Sequence, residues 1–362
     1  MTHIAKPRVI HPRLEKNELG LTRRDYEGTM STLCAGCGHD SITAALVEAV
    51  WDLAVPPHRA AKLSGIGCSS KTSAYFMSQS HGFNSVHGRM PSIAAGANAA
   101  NRDLVYIGIS GDGDSLSIGL GQLCHAIRRN LNLIYLLENN GVYGLTKGQF
   151  SASADVGSKS RRGVPNEQPP IDPVLLSLTL GATFVARSFS GDKDQLVPIL
   201  KAGIRHSGFA MVDVISPCVT FNDHVGSTKS YAHTREHYLE VAETAFFEPD
   251  EVVPADYVPQ ASEITTEIAP GETRDVRMHD GSVVRFRHVA EDYDPTNRDA
   301  AYQYIRRHQA RGEVVTGLLF VDPESRDHHA VLGTVREPLW DLPFDELCPG
   351  SEALDALMAN YR

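Results

Sequence analysis

The sequence lacks the usual marks of a membrane protein or a nucleic-acid-binding protein. Its first residues, MTHIAKPRVI, contain no signal-peptide core, and no apolar run is long enough to cross a bilayer. Lys and Arg number 34 against 44 Asp and Glu, a formal net charge of −10, so there is no basic excess to neutralise nucleic-acid phosphates. We therefore expect a cytoplasmic protein that binds neither nucleic acid nor membrane.

Cysteine is also scarce, with six among 362 residues. In a reducing compartment, cysteines act as metal ligands, nucleophiles or core residues more often than as disulfides. Cys124 lies among apolar residues of a predicted helix, which favours a core role, and Cys348 has no evident partner. The other four lie in the motifs CAGCGH, GIGCSS and SPCVTF: Cys34, Cys37, Cys68 and Cys218. Four thiolates can hold a structural zinc or an iron–sulfur cluster, and spacing alone does not separate these.

Apolar strands alternate with helices from about residue 31 onward. The strands are predicted at 61–66, 104–110, 131–138, 183–186 and 209–216. The helices are predicted at 42–53, after Pro91, and at 116–129, 173–180 and 195–206. Strands that are apolar throughout and separated by helices indicate a parallel sheet covered on both faces. We predict an α/β protein with a doubly wound, mainly parallel sheet.

The sequence divides into three parts. Residues 1–30 are charged and aperiodic, and they predict an extended arm, with a disordered tail as the alternative. Residues 31–220 carry the alternating strands and helices. Residues 221–362 differ in composition, with acidic and Pro-bearing segments, and we interpret them as a C-terminal extension whose role the sequence does not reveal.

Polar side chains follow two neighbouring strands of the predicted sheet. GDGD begins at Gly111 after the strand 104–110, and Asn140 follows the strand 131–138, 28 positions after Asp112 (140 − 112). Carboxyl ends of adjacent parallel strands face one crevice, where carboxylate and amide oxygens can hold Mg²⁺ beside a bound phosphate. GDGD alone is also common in turns and calcium loops, and Asn139 could be an ordinary turn residue.

GDGD followed by NN at this separation resembles the thiamine-diphosphate signature. Together with CxGCG, GxGCS and PC, it resembles the thiamine subunit of 2-oxoacid:ferredoxin oxidoreductases across residues 32–231. The resemblance implies a fold of the thiamine-diphosphate-binding, pyrophosphate-domain type. It also implies thiamine diphosphate, Mg²⁺ on Asp112, Asn140 and the Val142 carbonyl, and one 4Fe-4S cluster on the four cysteines. Ala35 departs from the proline of many relatives without removing a ligand.

The same resemblance assigns further residues. The implied cofactor contacts come from the segment around Cys68, from the HGR motif, from GDGD and from the YGLTKGQ loop: Ile66, Gly67, Cys68, Ser69, His87, Gly113, Asp114, Gly144 and Leu145. Lys147 is placed near coenzyme A, and Lys71 could pair with the 2-oxoacid carboxylate. An ordinary solvated lysine is the alternative for both.

The resemblance also implies a function that this chain performs only with a partner. An alpha subunit would supply the pyrimidine-binding domain in an α2β2 assembly, with coenzyme A, a 2-oxoacid and ferredoxin as the other reactants. Residues 220–231, TFNDHVGSTKSY, and the extension favour 2-oxoglutarate, with pyruvate or a broad specificity as alternatives. A non-redox thiamine lyase half with structural zinc and a non-catalytic scaffold are the other two hypotheses.

Overall fold

The computed structural model describes residues 11–159, 163–249, 273–287, 289–290, 293–337, 341–348 and 350–361. Residues 1–10 of the predicted arm and residues 250–272 of the extension lie outside this description. Within the described residues, no helix has the length and apolar character needed to span a bilayer.

The strands and helices of the described residues follow in chain order. The strands are β1 (Ala60–Ser64), β2 (His81–Asn84), β3 (Val105–Gly111), β4 (Leu133–Asn139), β5 (Val142–Tyr143), β6 (Gln149–Phe150), β7 (Phe184–Phe189), β8 (Phe209–Ile215), β9 (Tyr238–Glu240), β10 (Glu243–Phe247), β11 (Arg274–Arg277), β12 (Val283–Arg287) and β13 (Val314–Val321). The helices are α1 (Gly38–Asp52), α2 (Thr72–Tyr75), α3 (Met90–Ala100), α4 (Leu120–Arg128), α5 (Pro173–Leu180), α6 (Lys193–Arg205), α7 (Tyr231–His237), α8 (Arg298–Gln309), α9 (His328–Leu332), α10 (Phe344–Leu347) and α11 (Gly350–Ala359).

An eight-stranded sheet forms the centre of the described part, in the order β2-β1-β3-β4-β8-β7-β13-β9. The first six strands in this order run parallel to one another. β13 runs antiparallel to β7, and β9 runs parallel to β13. The prediction of an α/β protein with a mainly parallel sheet is confirmed. The chain passes from β1 outward to β2 and then returns to β3 on the other side of β1, so a crevice is expected at the carboxyl ends of β1 and β3.

Helices cover both faces of this sheet. The helices α3, α4, α5 and α8 contact one another in series, and α1 contacts both α2 and α6. Because helices from both groups pack on the same strands, the central strands are enclosed, and β4 and β8 are buried along their whole length. Their largely apolar pattern in the sequence follows from this enclosure.

Two predicted elements differ from the structure for physical reasons. The helix predicted at 116–129 is divided, because residues Gly113–Ile118 form a π-helical turn in which the Gly119 amide donates to the Asp114 carbonyl, and α4 begins only afterwards. The strand predicted at 183–186 continues to Phe189. Its apolar run is interrupted by Arg187, which is buried between Asp172 and Asp213 at 2.8 Å from each.

Strands that the sequence did not indicate lie at both edges of the sheet. β2 is exposed along its length and therefore has no alternating apolar pattern. On the other side, β13 comes from the predicted extension and pairs with β7, and β9 forms the edge beyond it. The boundary at residue 221 stays a prediction.

Candidate functional site

A pocket with about 440 Å³ of empty space opens at the carboxyl ends of β1, β3 and β4. It is lined by segments that follow these strands, together with the HGR motif and the YGLTKGQ loop: His39, Ile66, Gly67, Cys68, Ser69, His87, Gly111, Asp112, Gly113, Asp114, Glu138, Asn140, Val142, Tyr143, Gly144, Leu145 and Thr146. The pocket thus brings together every predicted cofactor contact and the three predicted Mg²⁺ ligands.

Asp112 is buried at the end of β3, and its carboxylate is held by the chain that follows β4. Its Oδ2 accepts the amide N–H of Gly141 at 2.9 Å, the hydroxyl of Ser153 at 2.5 Å, and the hydroxyl of Ser151. Burial raises the pKa of Asp112, and these donors oppose the rise. All three donors reach Oδ2, so the other oxygen of the carboxylate accepts none of them.

Asn140 and Val142 lie on the turn beside Asp112. The Val142 amide donates to the Asn140 side-chain oxygen at 3.0 Å, and the Asn222 side-chain amide donates to the Asn140 carbonyl at 2.8 Å. These contacts fix both residues at the pocket wall. A carboxylate, an amide side chain and a backbone carbonyl form an all-oxygen donor set, which suits Mg²⁺.

Asp114 connects three segments of the pocket wall. Its Oδ1 lies 2.5 Å from His87 Nδ1 and accepts the Gly88 amide at 3.0 Å and the Ile66 amide at 3.4 Å. Its Oδ2 accepts the Ser110 hydroxyl at 2.8 Å. Asp114 therefore orients His87 and anchors the chain after β1. The sequence identified Asp114 only as a cofactor contact.

Gly65 lies so close to Asp114 that it tolerates no side chain. A Cβ there would overlap Asp114 Oδ2 and meet the carboxyl carbon at 2.6 Å, and this buried carboxylate cannot move without losing its donors.

We expect Gly65→Ala to lower the free energy of unfolding by about 2 kcal/mol, because overpacking forces the surroundings to shift. Urea unfolding measures this. Gly96→Ala is the control, since Gly96 is a helical residue with open space around it and should be unharmed or slightly stabilised; equal behaviour of the two variants would contradict the assignment.

The loop that carries Cys34 and Cys37 precedes α1. The Cys37 amide donates to the Cys34 carbonyl at 3.0 Å, and Gly36 closes this turn with a φ of 79°, a conformation that favours glycine. Cys34 is exposed and Cys37 is partly buried. Burial raises the pKa of the Cys37 thiol to about 12.

The sulfurs of Cys68 and Cys218 lie beside the YGLTKGQ loop. A Cβ on Gly144 would be 3.5 Å from the Cys68 sulfur and 3.6 Å from the Cys218 sulfur. Besides burial, electrostatic repulsion from Cys34 raises the pKa of the Cys68 and Cys218 thiols, and repulsion from Cys218 raises the pKa of Cys37, so the four thiols lie in one region. Within the described residues, no three His, Cys, Asp or Glu side chains are grouped closely enough for a single metal ion.

The two predicted catalytic lysines lie outside the pocket wall. Lys147 is exposed, with a φ of 77°, and its amide donates to the Gly144 carbonyl at 3.0 Å. Lys71 follows Cys68 on a short 3₁₀ turn, and its Nζ lies 3.3 Å from the Thr32 hydroxyl. The roles of both lysines stay predictions.

Comparison with known proteins agrees with this geometry. The family described as "Thiamine pyrophosphate enzyme, C-terminal TPP binding domain" matches residues 65–214. The "2-oxoglutarate oxidoreductase subunit KorB" of Mycobacterium tuberculosis is 35% identical over 299 residues, covering 75% of this chain and 78% of the relative. The chain belongs to the 2-oxoacid:ferredoxin oxidoreductase beta-subunit family. The predicted thiamine-binding type of fold is thereby confirmed.

Two further relatives show how far this family likeness extends. The "2-oxoacid:ferredoxin oxidoreductase subunit beta" of Saccharolobus solfataricus is 41% identical over 206 residues, covering 57% of this chain but only 65% of that relative. A solved structure of "2-oxoglutarate:ferredoxin oxidoreductase from Magnetococcus marinus with 2-oxoglutarate, coenzyme A and succinyl-CoA bound" is 28% identical, with a TM-score of 0.71. That match covers 96% of this chain and 97% of the other, so the likeness in fold extends over nearly the whole chain.

Sequence reasoning gave no role to Glu138 in this beta-subunit pocket and little weight to His39. Glu138 is fully buried and accepts the Thr72 hydroxyl at 3.0 Å, and His39 Nδ1 lies 3.3 Å from it and 2.6 Å from the Ser216 hydroxyl. Burial raises the pKa of Glu138 well above its usual range and lowers that of His39 to about 4. Burial therefore favours the uncharged form of each group. The sequence signal for Glu138 was its charge near the end of an otherwise apolar strand, where ionisable residues are rare unless they have partners.

Proposed function

We propose that this chain is the thiamine- and cluster-binding subunit of a CoA-dependent 2-oxoglutarate:ferredoxin oxidoreductase. The reaction converts 2-oxoglutarate, coenzyme A and two oxidised ferredoxins to succinyl-CoA, CO₂, two reduced ferredoxins and a proton. One observation carries the proposal: Gly144 lines the pocket that holds the GDGD and NN oxygens and also lies against the Cys68 and Cys218 sulfurs. An electron acceptor on these thiols would therefore adjoin the substrate pocket.

The oxygen donors of the pocket fit thiamine diphosphate with Mg²⁺. Asp112, Asn140 and the Val142 carbonyl would hold the ion, and Gly113 follows Asp112 where the chain must stay close to the ligand. A Cβ on Gly113 would meet the Tyr143 ring at 2.6 Å, and the Tyr143 hydroxyl donates to the Gly113 carbonyl at 2.8 Å. The bound cofactor would supply the electron sink for decarboxylation.

The four thiols fit one 4Fe-4S cluster. Cys68 belongs to both sites, since it lines the pocket and its sulfur lies, like that of Cys218, beside Gly144. Burial raises the pKa of the Cys218 thiol, and the backbone amides of Thr220, Phe221 and Asn222 oppose that rise, as the His39 amide does for Cys37. Such donors stabilise thiolate charge and tune a bound cluster.

A partner chain completes the proposed enzyme. The described residues contain one eight-stranded sheet, and the candidate thiamine site lies at the carboxyl ends of its strands. The Saccharolobus solfataricus relative is named as a beta subunit. We propose that an alpha subunit supplies the pyrimidine-binding domain in an α2β2 assembly. This chain purified alone should then show no turnover.

Substrate choice is tested on the complex purified with its partner under anaerobic conditions. The Mycobacterium tuberculosis relative and the Magnetococcus marinus enzyme are both named for 2-oxoglutarate. We expect kcat/KM for 2-oxoglutarate to exceed that for pyruvate at least about tenfold in CoA-dependent viologen reduction, since a site that pairs a second carboxylate discriminates against acids lacking it. Equal values would refute the 2-oxoglutarate assignment and favour broad specificity.

A further inference from the structure

The segment that follows Cys218 returns at both of its ends to the loop carrying Cys34 and Cys37. The Thr220 hydroxyl donates to the Cys34 sulfur at 3.5 Å. The Tyr231 hydroxyl donates to the carbonyl of Gly36 at 3.1 Å. Residues 220–231, which we call the brace, therefore contact the cysteine loop at two independent points.

The turn after Cys218 fixes Thr220 in place. The amides of Phe221 and Asn222 donate to the Cys218 carbonyl at 3.1 and 2.9 Å, and the Asn222 side chain is tied to the Asn140 carbonyl. Because this turn is bonded to both a cysteine and the pocket wall, the Thr220 hydroxyl is held at one position relative to Cys34.

Tyr231 fixes the other end of the brace. Its ring packs edge-on against Phe189, the last residue of β7, with centroids 5.7 Å apart, and the Arg235 guanidinium lies 5.5 Å from the ring. Its amide donates to the Asp223 side chain at 3.0 Å, which connects the two ends of the brace. The Gly36 carbonyl is thus attached through Tyr231 to the central sheet.

We infer that Thr220 is a positioning residue that raises the midpoint potential of the cluster by donating a hydrogen bond to the Cys34 sulfur, while Tyr231 holds the loop in register. This inference rests on the proposed function, since it requires the cluster. Reduction adds an electron to the cluster, and a donor on a ligand sulfur stabilises the added negative charge. Removing the hydroxyl therefore shifts the equilibrium toward the oxidised state.

The test compares Thr220→Val with Thr220→Ser in the complete complex. Valine matches threonine in shape but lacks the hydroxyl, whereas serine keeps it. An EPR-monitored redox titration should give Thr220→Val a lower midpoint potential, with the reduction constant falling up to about tenfold, or about 59 mV for a one-electron couple. Thr220→Ser should stay near the unmodified complex. Tyr231→Phe is the matched control for the brace, since its hydroxyl reaches a carbonyl and not a sulfur.

Iron and sulfide analysis separates the failure of this inference from the failure of the proposed function. An unmodified complex without iron would refute the cluster itself. An unchanged potential in Thr220→Val with full iron content would refute the role of Thr220 and leave the cluster standing. If Thr220→Val retains too little iron for the titration, Thr220→Ala replaces it, because alanine also lacks the hydroxyl and has a smaller side chain. An unchanged midpoint potential in Thr220→Ala would again refute the inference.

Discussion

Replacing Asp112 with alanine is expected to abolish turnover of the complex. The carboxylate is buried at the pocket wall, and its loss removes the charged member of an all-oxygen donor set for Mg²⁺. A metal ion bound to pyrophosphate stabilises its negative charge by several kcal/mol. We therefore expect kcat/KM to fall roughly 10³-fold or more when the ion is lost. CoA-dependent viologen reduction measures the rate, and calorimetric titration with thiamine diphosphate and Mg²⁺ measures binding.

Two companion variants distinguish loss of the charge from loss of the fold. Asp112→Asn keeps the size of the side chain and can still contact Ser151 and Ser153, so it should fold normally and yet bind the cofactor weakly. Asp103→Ala removes an exposed carboxylate from the turn before β3 and should keep full activity. Retained turnover in Asp112→Ala would favour a scaffold role for this chain.

The sequence indicated the buried strands of the fold best. β3, β4 and β8 are enclosed by helices, so each is a largely apolar run that the sequence pattern reveals. Strands near the two edges could not be found in this way. β2 is exposed, and β13 lies 99 positions beyond β8 along the chain (314 − 215), so its pairing with β7 depends on tertiary contacts that local patterns do not encode.

The location of the site was predictable wherever a polar motif directly follows a predicted strand. Asp112 and Asn140 could be placed together because adjacent parallel strands end at one edge of the sheet. The interactions within the site were not predictable. Nothing in the sequence shows that Asp114 bonds the HGR segment, or that Glu138 and His39, 99 positions apart, meet in the pocket wall (138 − 39).

Removing one cysteine ligand is expected to remove the cluster. Cys218→Ala eliminates a thiol that interacts electrostatically with Cys34, Cys37 and Cys68. Three thiolates cannot complete the four-cysteine ligation of a 4Fe-4S cluster. We expect iron and sulfide content to fall, the brown colour to disappear and viologen reduction to drop more than about 100-fold, which exceeds the usual effect of changing only an outer-shell partner.

Cys124→Ala is the matched control for the cluster ligands. Cys124 lies on α4, is partly buried, and should retain iron, colour and activity when replaced. The same measurements decide between the two metal hypotheses, because a 4Fe-4S protein is brown and is bleached by dithionite, whereas a zinc protein is colourless. Stoichiometric zinc in the unmodified complex would overturn the redox assignment. Loss of colour in Cys218→Ala but not in Cys124→Ala would place the cluster beside Gly144, so that electrons leave the pocket through its own wall.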